Sequence, residues 1–264
     1  MLLREAATPD QLRKARKFLA ENPVFNVLPL GDAYAPLLGV SKLFVAAERN
    51  AVTGVCSVYQ PFNRKPSVAL STATPETKRK LLGIALSQVS GEFITLCNHD
   101  KVEVVKTHAA VLSLESELQM AANPPKCVKS NVKVSRARNK DVEELNRFCS
   151  EQDSRAWTPL QFKVGPFYCV KRNGKIVSAA GTHLKTPQIA HLGSIATSEA
   201  YRRQGLAAAC TSALALDLAS KGRIISLFVR SDNKPAISMY EKLGFKKIRG
   251  IAFITARKEY RGSA

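Results

Sequence analysis

The chain has 264 residues, 45% of them apolar, and a formal net charge of +19 at neutral pH. Its length suits one large domain or two small ones. No run approaches the ~20 consecutive apolar residues of a membrane-spanning helix, and residues 1–12 lack the apolar core of a signal peptide, so we expect a cytoplasmic protein. The six cysteines form no CxxC pairing and the four histidines are dispersed, which argues against a metal site.

The first half of the chain shows alternating helix and strand signals. Thr8, followed by a proline, predicts the start of a helix that runs to about Leu19. A polar turn around Asn50 between two alternating apolar runs predicts a hairpin. The predicted elements are helices over 8–19, 28–38 and 74–89 and strands over 43–47, 54–59, 68–72 and 93–97.

The second half repeats this order of elements. Asn173-Gly174 between two apolar runs is a strong hairpin signal. The predicted strands cover 132–136, 167–170, 176–181, 188–197, 224–229 and 245–255, and the predicted helices start at 139, 205 and 235. The repetition predicts a tandem duplication of one α/β unit. We expect domains over 1–122 and 132–264, joined by a linker over 123–131 that begins with an Asn-Pro-Pro break.

A loop joins the strand predicted over 188–197 to the helix that starts at Gly205. Backbone N–H groups at a helix N-terminus lack partners inside the helix, and the peptide dipoles add partial positive charge there. A pyrophosphate fits on such an end when no side chain blocks its approach. Gly205 has no side chain, Ala207 has a small one, and two arginines precede them. The loop therefore indicates a phosphate site. Taken alone, it is also compatible with an ordinary helix whose N-terminal glycine only ends the loop.

A second motif lies downstream of that loop. It is a short helix that Asn233 or its neighbour caps, that Gly244 ends, and that carries Tyr240. The loop reads RRQGLA and the helix segment reads VRSDNKPAISMYEKLGF. Together the two motifs resemble the cofactor signature of the GNAT (GCN5-related N-acetyltransferase) superfamily over residues 188–247. The resemblance implies an α/β fold of two tandem GNAT-like domains, each a mostly antiparallel twisted sheet flanked by helices.

The resemblance also implies roles for particular residues. In this superfamily the strand before the loop pairs through its backbone with the pantetheine arm of acetyl-CoA. The resemblance assigns this role to Ile195, Ala196 and Thr197. The loop that binds the pyrophosphate corresponds here to Arg202, Arg203, Gln204, Gly205, Leu206, Ala207 and Ala208. Asn233 corresponds to a residue that bonds the cofactor arm. Tyr240 corresponds to the residue that protonates the departing CoA thiolate, and a merely packed tyrosine is the alternative.

The base that takes the proton of the amine is less clear, because the superfamily uses no single position. Members that acetylate ribosomal-protein N-termini carry a glutamate where this chain has Phe228, and this departure argues against that substrate class. Histone-acetylating relatives carry a glutamate at the position of His191. The ordinary pKa of histidine, near 6.5, suits a base, but a packed histidine is the alternative. Glu199, Ser194 and a water chain are further candidates.

The first half has the same order of elements without the signature. Its equivalent of the loop, residues 73–80, contains no glycine, and Glu76 would place a carboxylate where a phosphate should bind. The resemblance therefore implies a degenerate copy without the cofactor loop. Tandem arrangements of this kind resemble mycothiol synthase and the glycine N-acyltransferases.

The net charge is concentrated in the second half. Residues 1–125 contain 14 Lys and Arg against 11 Asp and Glu, whereas residues 126–264 contain 26 against 10. Such a surplus predicts an anionic partner, either a phosphorylated cofactor or a nucleic acid.

The function that the resemblance implies is acetyl transfer from acetyl-CoA to a primary amine, of a small molecule or a protein, by direct attack. A non-catalytic acetyl-CoA-binding regulatory module and an enzyme that docks on RNA are the alternatives.

Overall fold

The computed structural model describes residues 1–62, 64–71, 73–99, 102–128, 130–152, 154 and 157–258. Thr72, at the end of a predicted strand, and Lys129, in the predicted linker, lie outside the described residues. The chain folds into two compact units, Met1–Leu118 with the chain from Arg249 onward, and Gln119–Ile248. The predicted domains, 1–122 and 132–264, differ from these units mainly at the C-terminus, where the chain from Arg249 onward groups with the first unit.

The first unit is built on a sheet with the strand order β1-β2-β3-β4-β5-β12, in which β12 (Lys246–Lys258) is the last strand of the chain. Its pairs are antiparallel except β4 with β5, which are parallel and are joined through helix α3. The elements are β1 (Leu2–Glu5), α1 (Pro9–Ala20), α2 (Val27–Asp32), a 3-10 turn (Leu37–Val40), β2 (Ser41–Glu48), β3 (Ala51–Tyr59), β4 (Ser67–Leu70), α3 (Pro75–Leu86), β5 (Glu92–Cys97), α4 (Val102–Lys106) and β6 (Ala109–Ala122).

Local signals account for several of these elements. Thr8 caps α1, because its hydroxyl accepts the backbone N–H of Gln11, whose side chain in turn accepts the N–H of Thr8. The β2–β3 hairpin turns at Arg49 and Asn50, which have φ values of 47° and 67°. The helix predicted over 28–38 is wrong in extent, since α2 ends at Asp32 and Pro36 precedes only a short 3-10 turn.

The core of the first unit lies between α3 and the sheet. Leu81 and Leu82 of α3 are wholly buried and belong to one apolar cluster with Phe44 of β2, Val58 of β3 and Phe93 of β5. The last strand completes this cluster with three buried side chains, Ala252, Ile254 and Ala256. Residues Ala252–Arg257 pair with β5, which explains why the C-terminal segment groups with the first unit.

The second unit is built on the sheet order β11-β10-β9-β8-β7. Its pairs are antiparallel except β10 with β11, which are parallel and are joined through helix α7. The elements are β7 (Ser135–Arg136), a 3-10 turn (Asn139–Asp141), α5 (Val142–Glu151), α6 (Gln161–Val164), β8 (Phe167–Arg172), β9 (Lys175–Lys185), β10 (Ile189–Thr197), a 3-10 turn (Glu199–Tyr201), α7 (Leu206–Ala219), β11 (Ile224–Arg230) and α8 (Lys234–Lys242). Only the first residues of β12, as far as Ile248, belong to this unit.

Two apolar regions hold this unit together. Trp157 is 1% exposed and meets Phe167 edge to face at 5.2 Å between ring centroids, in a cluster with Leu145 and Phe148 of α5. Helix α7 packs against β8, β9 and β10. Its small and apolar side chains are buried around most of its circumference, which anchors the start of α7 next to the end of β10.

The two units share one motif, a parallel strand pair with a helix between the strands. It is β4–α3–β5 in the first unit and β10–α7–β11 in the second, preceded in each by an antiparallel hairpin. The predicted α/β class, with mostly antiparallel sheets flanked by helices, is confirmed. Among the described residues, no helix is long and apolar enough to cross a membrane.

Candidate functional site

The site begins where two parallel strands part. β10 is in register with β11 only from Ile189 to Leu192. Beyond Gly193, β10 has a register irregularity against β9, and Ser194 adopts a φ of 51°, which is uncommon for a residue with a side chain. Since β9 and β11 flank β10 in the described sheet, the segment that ends at Thr197 is in register with β9 and no longer with β11.

The three residues predicted to pair with a pantetheine arm lie in this segment. Ala196 and Thr197 are half-buried and stand opposite Ala179 and Ser178 of β9. The Ser178 hydroxyl donates to the carbonyl oxygen of Ala196 at 3.0 Å and lies 2.8 Å from Oγ1 of Thr197. Ile195 is also half-buried. The end of β10 is therefore fixed from the β9 side.

The loop after β10 ends at Gly205, the N-cap residue of α7. Gly205 has a φ of 73°, and a Cβ built on it would meet no heavy atom within 4 Å. The first helical hydrogen bond of α7 runs from the N–H of Ala209 to the Gly205 carbonyl at 3.0 Å. The preceding N–H groups of Leu206, Ala207 and Ala208 thus point out of the helix end, as in any uncapped N-terminus.

The charged residues of the loop are exposed. Arg203 adopts a left-handed φ of 62°, and Arg202 donates from Nε to the carbonyl oxygen of Thr197 at 3.3 Å. Gln204 is likewise exposed. The loop presents backbone amides and two guanidinium groups at a helix end whose N-cap residue offers no side-chain acceptor, which is a suitable arrangement for a phosphate.

The equivalent helix start in the first unit is closed. Thr74 caps α3 by accepting the N–H of Thr77 at 3.2 Å. Glu76 lies in the first turn and forms an exposed ion pair with Lys80 at 2.7 Å. The hydrogen bond from Lys80 lowers the pKa of Glu76, so this carboxylate is charged at neutral pH. A negative charge and an occupied cap make the start of α3 unsuitable for an anion.

Helix α8 carries the other two predicted residues. Asn233 is its N-cap and accepts the N–H of Ala236 at 3.2 Å, so the side-chain carbonyl holds the helix while its NH₂ group is exposed. Tyr240 is 5% exposed and lies 5.9 Å from the ring of Phe245. The Tyr240 hydroxyl forms no hydrogen bond with a described residue, and its oxygen atom is not completely buried. Burial raises the pKa of Tyr240, so the hydroxyl keeps its proton.

His191 lies on β10 before the strands part and is 2% exposed. Its Nδ1 is 2.8 Å from the hydroxyl oxygen of Ser226 on β11, and its ring centroid is 4.4 Å from that of Phe228. Burial and, to a smaller extent, the charge of His183 hold the pKa of His191 well below its usual range. The imidazole is therefore neutral at physiological pH.

The further base candidates differ in their surroundings. Ser194 is buried and accepts a hydrogen bond from the Ser154 hydroxyl at 3.0 Å, whereas Glu199 is exposed in the 3-10 turn after β10. Ser226 and Ser154 were not predicted from the sequence. Neither carries a local signal, because each becomes a partner only through the register of the sheet or the path of a distant loop.

The predicted residues thus lie on three connected elements of the second unit: the end of β10, the start of α7 and the helix α8. Among the described residues, no group of three or more His, Cys, Asp or Glu side chains is placed to hold a metal ion.

Comparison with known proteins gives three consistent similarities. Residues 171–254 match the family described as FR47-like protein. A stretch of 57 residues is 44% identical to the N-terminal acetyltransferase B complex catalytic subunit NAA20 of Arabidopsis thaliana, covering 21% of this chain and 33% of that protein. A stretch of 61 residues is 43% identical to an N-alpha-acetyltransferase of Saccharolobus solfataricus, covering 22% and 36%. The chain thus matches about a third of the length of these relatives.

The fold extends the similarity to the whole chain. The solved structure of a tandem GNAT protein from the clavulanic acid biosynthesis pathway superposes with a TM-score of 0.61 at 12% identity, covering 100% of both chains. The chain therefore has the tandem GNAT fold. Together with the FR47-like match over the signature, this confirms the predicted resemblance to the GNAT superfamily.

Proposed function

We propose that this protein is an acetyl-CoA-dependent N-acetyltransferase with a single active site in its second unit. The observation that carries the proposal is the start of α7, where left-handed Gly205 leaves the first amides uncapped beside the parting of β10 from β11. The names of the relatives, which are N-acetyltransferases, support an acyltransferase. Acetyl-CoA supplies the activated acetyl group as a thioester, and the residues of this chain bind and orient it.

The loop would hold the pyrophosphate of the acyl donor. The amides from Arg203 to Ala208 would donate to the phosphate oxygens, and the guanidinium groups of Arg202 and Arg203 would balance the charge. The absence of a side chain at Gly205 permits close approach, since the space at its Cβ position is open. The exposed amide NH₂ of Asn233 would bond the cofactor arm, and the backbone of Ile195–Thr197 would pair with it.

The reaction is direct attack of a neutral amine nitrogen on the thioester carbonyl carbon. A C–N bond forms, the C–S bond breaks, and the electron pair leaves with sulfur. Tyr240 would give its hydroxyl proton to the departing thiolate. Burial keeps the hydroxyl protonated until that step, although the raised pKa also makes it a weaker acid than an exposed tyrosine. The proton that the amine loses goes to a base or to water.

His191 is our candidate for that base, and its surroundings limit what it can do. The neutral form can accept a proton, but a depressed pKa makes the imidazole a weak base. An acceptor whose nitrogen is already largely neutral needs little help. The α-amino group, with a pKa of about 7.7–8.0, fits this better than a lysine side chain at about 10.4. Peptide N-termini therefore belong among the acceptors to be tested, although Phe228 stands where the ribosomal N-terminal acetyltransferases carry a glutamate.

A regulatory module that binds acetyl-CoA without transferring the acetyl group is the second candidate, favoured by the burial of His191. The two functions separate in one assay. The protein is incubated with acetyl-CoA and a panel of small amines, peptides with free N-termini and N-terminally blocked lysine peptides, and thiol release is followed. We expect one acceptor class to raise thiol release above the acceptor-free rate. Tight acetyl-CoA binding without any acceptor-dependent release would support the regulatory module instead.

A further inference from the structure

The second unit carries a group of basic side chains at the opposite end of β10 from the proposed acetyl-CoA loop. Arg136 lies on β7, Lys185 at the end of β9, Lys221 just after α7 and Arg223 just before β11. We call these four residues the basic cluster. Along β10, from Ile189 to Thr197, the strand rise separates Lys185 and Arg223 from the loop by roughly 25 Å, whereas the register places Arg136 level with the middle of β10.

The backbone and side-chain contacts bring the cluster together. Lys185 is adjacent to Thr186, whose carbonyl oxygen accepts Nε of Arg223 at 2.7 Å. On the α7 side, Lys221 pairs with Asp217 at 3.3 Å. The Asp217 carboxylate also accepts the hydroxyl of Tyr168 at 3.3 Å, and Tyr168 is the cross-strand partner of Arg136. Burial, and then the positive charges of Arg223, Lys221 and Arg136 in that order, lower the pKa of Lys185.

The cluster lacks the carboxylates that would neutralise it. Several basic side chains elsewhere in this unit have acidic partners, as in the ion pairs Lys171–Asp141, Arg230–Asp232 and Lys247–Glu241. Among the described residues, Arg136, Lys185 and Arg223 form no ion pair, and Lys221 has Asp217 alone. Four positive charges against one negative charge repel one another, and an anion from outside would relieve that repulsion.

We propose that the basic cluster binds the phosphodiester backbone of a nucleic acid. The choice of a nucleic acid over an acidic protein rests on what surrounds the cluster. A protein interface usually has an apolar or aromatic centre, whereas phosphate contacts alone support nonspecific nucleic-acid binding. The large apolar side chains that are exposed among the described residues are Met1, Leu2, Phe62, Leu112, Leu114 and Ile248. None of them belongs to the elements that carry the cluster. The surplus of 26 basic over 10 acidic residues in 126–264 acts in the same direction.

The proposal does not depend on the acetyltransferase function, and its test uses a different readout. Binding of a fluorescein-labelled oligouridylate of about 20 nucleotides is followed by fluorescence anisotropy over a series of salt concentrations. The test variant is the double substitution Arg136→Gln with Lys185→Gln. The matched control is Arg172→Gln with Lys175→Gln, which removes the same charge from the exposed β8–β9 turn. Lys175 lies roughly 30 Å from Lys185 along β9, and Arg172 lies about 13 Å along β8 from Tyr168, the register partner of Arg136.

The expected result has three parts. The wild-type protein binds the oligonucleotide, and its affinity falls steeply with salt. The test variant binds at least about tenfold more weakly, and its log–log salt slope is smaller by about 1.4, as for two lost phosphate contacts on a single strand. The control variant keeps the wild-type slope. Acetyl-CoA binding is unchanged in both variants, because neither touches the loop.

Three outcomes would overturn the proposal. If the wild-type protein does not bind the oligonucleotide, the proposal is wrong. Equal losses in the two double variants would mean that the overall charge, and not the cluster, attracts the oligonucleotide. Binding of polyglutamate with the same affinity and the same dependence on Lys185 would assign the cluster to an acidic protein partner instead.

Discussion

The imidazole Nδ1 of His191 lies 2.8 Å from the hydroxyl oxygen of Ser226, its register partner on the neighbouring parallel strand. Because burial holds the pKa of His191 well below 6.5, the folded state stays neutral at a pH where the unfolded chain takes up a proton. The unfolded state therefore binds more protons below about pH 6.5, and His191 costs the fold stability as the pH falls through that value.

Replacement of His191 by glutamine should remove this contribution. We expect the free energy of unfolding of His191→Gln, relative to the wild type, to rise as the pH falls from about 7.5 to about 5.5. Glutamine can still bond the Ser226 hydroxyl, which limits the packing loss. Urea denaturation at several pH values measures the difference. The control is His108→Gln, at a half-buried position of the first unit. An equal change of the pH dependence in both variants would contradict the argument from burial.

Tyr240→Phe should lower turnover while leaving acetyl-CoA binding nearly intact. General acid catalysis typically contributes a factor of about 10²–10⁴, so we expect kcat to fall by about 100-fold. The matched control is Tyr168→Phe, which removes a hydroxyl of the same unit that bonds Asp217. Steady-state kinetics with equilibrium binding of acetyl-CoA separates the two effects. An unchanged kcat in Tyr240→Phe would show that the tyrosine only packs.

Gly205→Glu should abolish acetyl-CoA binding, and helix α7 provides its own control. Gly205 and Gly222, near the two ends of α7, have φ values of 73° and 75°, and an added Cβ meets nothing within 4 Å at either position. The backbone strain of a substitution is therefore similar at both. A carboxylate 4 Å from a phosphate charge costs about 4 kcal/mol at an effective dielectric constant of 20.

We accordingly expect the affinity of Gly205→Glu for acetyl-CoA to fall far more than tenfold and that of Gly222→Glu to stay close to wild type. Isothermal titration calorimetry gives both values. Equal affinities in the two variants would contradict the proposal that the pyrophosphate binds at the start of α7.

Asp32 should make the first unit less stable as the pH rises. Its carboxyl is 7% exposed and accepts the hydroxyl of Ser57 at 2.5 Å, and burial raises its pKa to about 7. Because the folded pKa lies above the unfolded value of 3.8, the folded state binds the proton more tightly. The resulting stabilisation is complete below about pH 4 and is lost as the pH rises to about 7, with a total of up to about 4 kcal/mol.

Asp32→Asn removes this titration and retains an acceptor for Ser57. We expect the melting temperature of Asp32→Asn, relative to wild type, to increase between about pH 5 and about pH 8. The control variant Asp10→Asn changes an exposed carboxylate of the same unit, whose ion pairs on α1 contribute little. A constant difference between Asp32→Asn and wild type over this range would contradict a titrating buried carboxyl.

Local chemistry explains what the sequence could predict. The Thr8 cap, the Asn173-Gly174 turn and the glycine at position 205 each act through their own or neighbouring backbone groups, and the structure has a helix start, a hairpin and a left-handed N-cap there. The resemblance to the GNAT superfamily rests on the same local motifs. The roles of the site residues remain predictions, since the geometry is consistent with them but tests none directly.

Non-local pairing explains what the sequence could not predict. The last strand pairs with β5, more than 150 residues earlier, at Ala252 and Cys97 among other positions, and no periodicity identifies a partner at that distance. The burial of His191 depends likewise on the register that places Ser226 beside it. Strand β6 (Ala109–Ala122) is a different case. It is absent from the predicted strands, although polar residues occupy every second position from Ser113 to Gln119, an alternation that is typical of a strand.

Transfer of the acetyl group to an amine is the step on which the proposed function depends, and mass spectrometry of the acceptor detects it most directly. The wild-type protein is incubated with acetyl-CoA and the acceptor that raises thiol release most, beside Gly205→Glu and the matched Gly222→Glu. We expect an acceptor acetylated on its amine nitrogen with the wild type and with Gly222→Glu, and none with Gly205→Glu. Thiol release without an acetylated acceptor, or equal product with Gly205→Glu, would contradict the proposed function.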